Sequence, residues 1–339
     1  MSKELGASND YASSSLARFF KENMLLAQIL PARVAIKVIV LGRKHLWQNK
    51  LHPLPLQKAI PLKTLNLVGA GRVGQTLARL WQQQGTFAVQ DVLTMTPASA
   101  QAACAAIGAG RPVDAMLAMR PADVWMLAVP DNTLPQVAQA LATAFAASSA
   151  LSAQTVAFHC SGALGSAQLA PLVTLGWQTA SAHCILSFAS VETAVAQFSG
   201  TACALEGHTR ACGLLRAAFN DIGGRCFSVA SEHKLLYHAA AVFATNFMPV
   251  LQSVAEDAWR SAGVPAELIP DLRASLLAHA VHNITTLGPA AALTGPAARG
   301  DTAAIARQAL AVKAWNPEAG AAYDALSVLA LRLAGQAKA

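Results

Sequence analysis

Three glycines, Gly69-x-Gly71-x-x-Gly74, stand between a short apolar run and a run with helical spacing. A phosphate-binding turn needs that arrangement. The first glycine permits a tight bend, the second lets backbone approach a pyrophosphate, and the third lets the helix pack close to the strand. The helix N-terminus then offers unbonded N–H groups and a partial positive charge. Gly69, Ala70, Gly71, Arg72, Val73 and Gly74 are the candidate cofactor-binding residues, with Thr94, Val129 and Pro130 at two later strand ends. An acid about 20 residues past the turn would grip the ribose hydroxyls of NAD. Thr94-Met95-Thr96 stands there instead. Hydroxyls without a carboxylate favour a ribose 2′-phosphate, hence NADP(H), with NAD as the alternative.

Hydride delivery to a carbonyl creates an alkoxide, which needs a proton donor and a positive partner. Lys234 and His238 are four residues apart in a helical stretch otherwise poor in charge. That spacing places them on one helix face. Lys234 is the candidate general acid and His238 its assistant. Pro249 removes one helical hydrogen bond, and a kink there would turn Asn246 inward. Ser161, in His159-Cys160-Ser161-Gly162 at a strand's end, is a candidate donor to substrate. His183 is expected to flank the same crevice. Arg299, in a glycine- and proline-containing loop over Leu293–Asp301, is a candidate partner for a substrate carboxylate.

Two other chemistries are weaker. A serine hydrolase would use Ser161, yet no G-x-S-x-G elbow surrounds it. His279-x-x-His282 has metal-like spacing, but no carboxylate or third ligand accompanies it, so no metal is expected.

The elements that would position these groups alternate. Short apolar runs such as Leu65–Val68, Val89–Thr94, Val124–Val129 and Thr155–Phe158 are separated by helical runs such as Gln75–Gln84, Pro97–Ile107 and Leu134–Ala146. This predicts an α/β fold, a Rossmann-like doubly wound and mostly parallel sheet. Further strands are expected over 178–188, 201–205 and 225–229, with a helix at 209–221. After Ser231 strand signals stop and Ala/Leu-rich helical runs continue. The expected domains are a basic extension over 1–61, a dinucleotide-binding domain over 62–230 and an all-α C-terminal domain over 231–335.

Composition narrows the function classes. The chain has 339 residues, 54% hydrophobic and 13% charged, with mean hydropathy +0.39. A disordered chain needs the opposite balance. The net charge of +7 sits in residues 1–64, which hold ten basic and three acidic residues. The remainder is neutral, so its net charge cannot steer it to nucleic acid. The charge-free run Leu235–Ala255 carries His238, Asn246, Pro249 and Gln252, which suits a core helix rather than a membrane span. Six scattered cysteines without a C-x-x-C pair fit reduced thiols in the cytoplasm. The extension is read as lying outside the fold, with a basic arm, a targeting peptide and a misplaced start as open alternatives.

Val68-Gly-Ala-Gly-Arg-Val-Gly74, Phe158-His-Cys-Ser-Gly-Ala-Leu164, Lys234-x-x-Tyr-His-Ala-Ala240 and Leu293-Thr-Gly-Pro-x-x-Arg-Gly-Asp301 follow in that order. Over about 62–330 the chain resembles the Rossmann-like oxidoreductases whose C-terminal half is domain of unknown function 2520. These are similar in build to ketopantoate reductases, β-hydroxyacid dehydrogenases and pyrroline-5-carboxylate reductases. The resemblance implies a nicotinamide cofactor at Gly69, Gly71 and Gly74, chemistry in the cleft between the domains, and Lys234 as the acid. It departs from the pattern at His238, where β-hydroxyacid dehydrogenases have Asn, at Cys184, where Pro is usual, and at Met95, where Arg is frequent. The expected function is reduction of a small 2-oxo acid or similar carbonyl compound by a homodimer. A non-catalytic dinucleotide-binding sensor is the alternative.

Overall fold

The structure is a computed structural model and describes residues 62–146 and 154–336. The expected extension over 1–61 lies outside the described residues. Two compact units emerge, the first ending at Leu236 and the second beginning at Tyr237.

The first unit is built on β1 (Lys63–Val68), α1 (Arg72–Gln84), β2 (Phe87–Leu93), α2 (Pro97–Ile107), β3 (Arg111–Val113), β4 (Val124–Leu127), α3 (Leu134–Phe145) and β5 (Val156–His159). It continues with α4 (Ala170–Val173), β6 (Gln178–Cys184), α5 (Val191–Gln197), β7 (Ala202–Gly207), α6 (Thr209–Asp221) and β8 (Arg225–Ser228). Among the described residues these strands form one sheet in the order β3-β2-β1-β4-β5-β6-β7-β8. Every neighbouring pair is parallel except β6–β7.

The apolar runs explain the layers. β4 and β5 are buried along their whole length, as strands covered on both faces must be. On one face Trp81 of α1 packs edge-on against Phe87, Phe158 and Phe219. Its indole N–H donates to the Ala218 carbonyl at 2.8 Å. On the other face Trp125 packs against Phe145 and Trp177. The chain order reverses direction between β1 and β4, where open α/β sheets leave a crevice at the strand carboxyl ends.

Sequence pattern missed β3. Arg111-Pro112-Val113 is too short for a periodic signal, and it is tied down by a distant carboxylate. Asp91, fully buried on β2, accepts from Arg111 Nε at 2.9 Å and Arg120 Nη2 at 2.7 Å. Other strand ends shift by a few residues. The run expected over 178–188 stops at Cys184, because Ser187, Phe188 and Ala189 belong to a turn.

α7 (Lys234–Ala241) contains the division between the units. A π-helical segment over Val242–Asn246 follows, then α8 (Phe247–Ser261), α9 (Ile269–Leu287), α10 (Pro289–Ala292), α11 (Gly295–Arg299), α12 (Thr302–Trp315) and α13 (Pro317–Gln336). Glu256 of α8 pairs with Arg273 of α9 and, within its own helix, with Arg260. The second unit is all-helical among the described residues. No helix among them is long and apolar enough to cross a membrane.

Candidate active site

A cleft of about 860 Å³ opens over the phosphate turn. Gly69, Ala70, Gly71, Arg72, Val73, Gly74, Thr94, Val129 and Pro130 all line it. Backbone geometry explains the glycines. Gly69 has φ +78°, and a Cβ there would meet the Ala128 carbonyl oxygen at 2.6 Å. At Gly74 a Cβ would meet Ala128 Cβ at 2.9 Å. Nothing lies within 4 Å of a Cβ placed on Gly71. That open cradle faces the start of α1, which has no side-chain cap and no acid in its first turn. Its first N–H groups therefore lack intrahelical partners. Backbone hydrogen bonds from Gly69 N to Leu93 O and from Ala128 N to Val68 O, both 2.8 Å, fasten the turn to its flanking strands. The fit to a dinucleotide pyrophosphate rests on these features.

Thr94 and Ser99, which line the cleft, form a hydroxyl cluster with Thr96. Thr94 Oγ1 and Ser99 Oγ are 2.6 Å apart, and Thr96 caps α2 through Ser99 N. The nearby carboxylate of Asp91 is turned to Arg111 and Arg120. Ser99 gave no separate sequence signal. Cleft-lining Ser187, Phe188 and Ala189 were also missed. Arg72 holds that turn, its Nη1 donating to the Ala189 carbonyl at 2.9 Å.

Ser161 lines the cleft with its hydroxyl already engaged. It donates to Asp131 Oδ2 at 2.7 Å and accepts from Ala163 N at 3.2 Å and Leu164 N at 2.9 Å. Its single proton goes to Asp131, and its oxygen holds the turn over Ala163 and Leu164. His159 does not activate it. His159 Nδ1 accepts from Ser161 N, so Nε2 carries the proton and donates to the Gly165 carbonyl at 3.0 Å. Burial pushes the His159 pKa down to about 4, keeping the ring neutral. This arrangement is not that of a hydrolase.

Lys234 begins α7 and is 1% exposed. Its Nζ donates to Ser181 Oγ at 2.8 Å and to the Ser161 carbonyl at 3.2 Å. Burial pushes its pKa down, while the charges of Glu206 and Asp131 push it back up. An ammonium has three N–H donors, and these are its two partners among the described residues.

The remaining candidates are dispersed. His183 is half-buried on β6 opposite Ala204 and does not line the cleft. His238 lies one turn past Lys234 on α7. Asn246 is exposed, and its Oδ1 accepts from Thr245 Oγ1 at 2.9 Å. The kink expected at Pro249 is instead a π segment ending at Asn246. Without an N–H on Pro249 the preceding turn is free to widen. Arg299 is exposed at the end of α11, so the expected loop over 293–301 is corrected to a short helix. Gly300 is left-handed there, and Asp301 caps α12 by accepting from Ala304 N at 2.9 Å.

Two family models match successive parts of the chain. A Rossmann-like domain model matches residues 56–183, and Domain of unknown function (DUF2520) matches residues 201–329. Protein TM1727 from Thermotoga maritima is 25% identical with TM-score 0.64, covering 81% of this chain and 100% of its own. An imine reductase from Myxococcus stipitatus, solved in complex with NADP+, is 19% identical with TM-score 0.53, covering 81% and 94%. A pyrroline carboxylate reductase from Plasmodium falciparum, solved with NADP bound, is 12% identical with TM-score 0.50, covering 81% and 99%. The last two share the fold. No curated protein matches the sequence.

Proposed function

We propose that this chain, which belongs to the proteins that join a Rossmann-like domain to a DUF2520 domain, is an NADP(H)-dependent oxidoreductase. Its substrate is a small 2-oxo acid or similar carbonyl compound. One observation carries the reading: an uncapped, acid-free helix N-terminus faces a cleft through the open Gly71 cradle. When bound, the dinucleotide supplies or accepts a hydride. Backbone N–H groups over Gly69–Gly74 hold its pyrophosphate. The hydroxyls of Thr94 and Ser99 receive the 2′-phosphate. The NADP-bound imine reductase and pyrroline carboxylate reductase of the same fold support that choice.

Lys234 holds the proton, at Nζ, that the product alkoxide takes. It touches the cleft wall through the Ser161 carbonyl. His238, one turn further along α7, assists it. The test is calorimetry with NADPH, NADP+ and NADH, followed by NADPH oxidation across a panel of keto acids. Binding and turnover that is lost in Lys234→Ala support the reading. Absence of heat with every dinucleotide sinks it. A dinucleotide-binding sensor is favoured instead by the near-complete burial of Lys234, and tight binding without any turnover decides for it.

The helical unit supports a homodimer. Phe243, Val250, Leu276, Ile284 and Leu329 are exposed on it, whereas Ile269 and Ala334 are its buried hydrophobic residues among those described. A unit of this size needs a larger core. A second copy supplies it, and a monomer in light scattering at micromolar concentration refutes this. The six described cysteines are unbridged, which suits the reducing cytoplasm.

A further inference from the structure

The buried carboxylate of Glu206, on β7, is not used in the reading above. It is 8% exposed. Its Oε2 accepts from Ser166 N at 2.7 Å and Ser181 Oγ at 2.9 Å. Its Oε1 accepts from Ser166 Oγ at 2.8 Å and Ser231 Oγ at 2.6 Å. No arginine or lysine forms a salt bridge with it among the described residues. A buried carboxylate is costly unless hydrogen-bonded and compensated by charge. Three hydroxyls and one amide provide the hydrogen bonds. The compensating charge is one hydroxyl away.

Ser181 is fully buried and has a single proton. That proton goes to Glu206, so Ser181 accepts from Lys234 Nζ at 2.8 Å. The polarity of the chain is therefore fixed: ammonium to hydroxyl to carboxylate. We propose that Glu206 is a positioning residue that acts through Ser181 to keep Lys234 an ammonium, and through Ser231 to set where α7 begins. Ser231 lies three residues before Lys234. One carboxylate thereby fixes both the charge of the amine and the start of the helix carrying it.

The charged and titratable groups that bear on Lys234 come from three strand ends. Glu206 is on β7, Asp131 follows β4, and His159 ends β5. His159 is neutral. Asp131 also favours the ammonium, so loss of Glu206 weakens proton binding without abolishing it. Burial opposes the charge of Glu206 itself, but its Ser231, Ser166 and Ser181 hydrogen bonds hold its pKa below the usual value.

The test is a titration of Lys234 in the full chain, labelled with 13C at lysine Cε and followed by NMR. Lys234→Arg identifies the signal. Glu206→Gln is expected to weaken proton binding at Lys234 about tenfold or more. Ser181→Ala shifts the midpoint the same way, and Glu206→Asp, which keeps the charge, restores most of it. An unchanged midpoint in folded Glu206→Gln or Ser181→Ala overturns the proposal. If Glu206→Gln does not fold, Ser181→Ala decides alone, since it removes one hydroxyl and leaves the carboxylate. The purpose of the relay rests on the proposed function, but its titration does not. Normal dinucleotide binding with an unmoved midpoint removes the relay alone. No dinucleotide binding with a shifted midpoint removes the function and leaves the relay.

Discussion

Ser161 gives its hydroxyl hydrogen to Asp131, with Oγ and Oδ2 2.7 Å apart. The same oxygen receives the N–H groups of Ala163 and Leu164. A fluorophosphonate probe is therefore expected to leave Ser161 unlabelled, read by mass spectrometry. Ser161→Ala strands those two N–H groups and is expected to cost about 1–3 kcal/mol in urea unfolding. Labelling of Ser161 would restore the hydrolase reading.

Gly69 and Gly71 separate folding from binding. Gly69→Ala forces a Cβ into the Ala128 carbonyl at positive φ, and about 1–3 kcal/mol of stability is expected to be lost. Gly71→Ala meets nothing within 4 Å, so its Tm stays unchanged. Its methyl group occupies the phosphate cradle, and NADPH binding falls about tenfold or more, a loss of at least ~1.4 kcal/mol. Calorimetry on a Gly71→Ala protein that binds like wild type would place the phosphates elsewhere.

Thr94 and Ser99 make a prediction about cofactor choice. Thr94→Asp introduces a carboxylate beside the hydroxyl cluster where the 2′-phosphate is proposed to sit. NADPH affinity is expected to drop about tenfold or more while NADH affinity holds or improves, through like-charge repulsion. Equal losses for both would detach this cluster from the 2′-phosphate.

Asp91 sets an acid limit on the fold. Burial alone would raise its pKa, but hydrogen bonds from Arg111 and Arg120 outweigh burial and hold it well below the usual carboxylate range. A depressed folded-state pKa contributes stability that is present above the unfolded value and lost as pH falls toward the folded one. Stability is thus expected to decline below about pH 4, where unfolded Asp takes up its proton. Asp91→Asn removes the charged acceptor of two half-exposed guanidinium groups and is expected to cost about 1–3 kcal/mol at neutral pH. Urea midpoints between pH 3 and 7 that fall in parallel for both proteins would contradict this.

Cys160 lines the cleft, yet burial pushes its thiol up to about 12. The thiolate is the nucleophile, so iodoacetamide at pH 7.5 is expected to leave Cys160 largely unmodified in native protein, read by peptide mapping. Rapid alkylation would mean that the thiol is reached by solvent.

Legibility from sequence followed the range of the interaction. β1, the Gly69–Gly74 turn and α1 are contiguous, so backbone freedom and apolar spacing in one stretch specify them. Thr96 and Gly108 likewise cap α2 with neighbours a few residues away. Lys234 was legible as a residue type but not as a buried one. Its isolation in a charge-poor helix pointed to chemistry, while its partner hydroxyl, Ser181, lies 53 residues earlier. Arg299 and Asp301 looked like an irregular loop because glycine and proline interrupt the periodic pattern. In the structure Gly295 and Pro296 start a five-residue helix and Gly300 stops it.

By itself the sequence determined most of the strands and helices of the sheet and the glycine turn at the first bend. Those properties depend on dihedral preference and on apolar period, which act within a few residues. Tertiary structure decided the rest. It set Glu206 one hydroxyl from Lys234, closed Arg111 and Arg120 on Asp91, and lined up Cys184, Cys203 and Cys226 across three strands. Strand register brings such groups together, and register is settled by how the whole sheet packs, not by any local pattern.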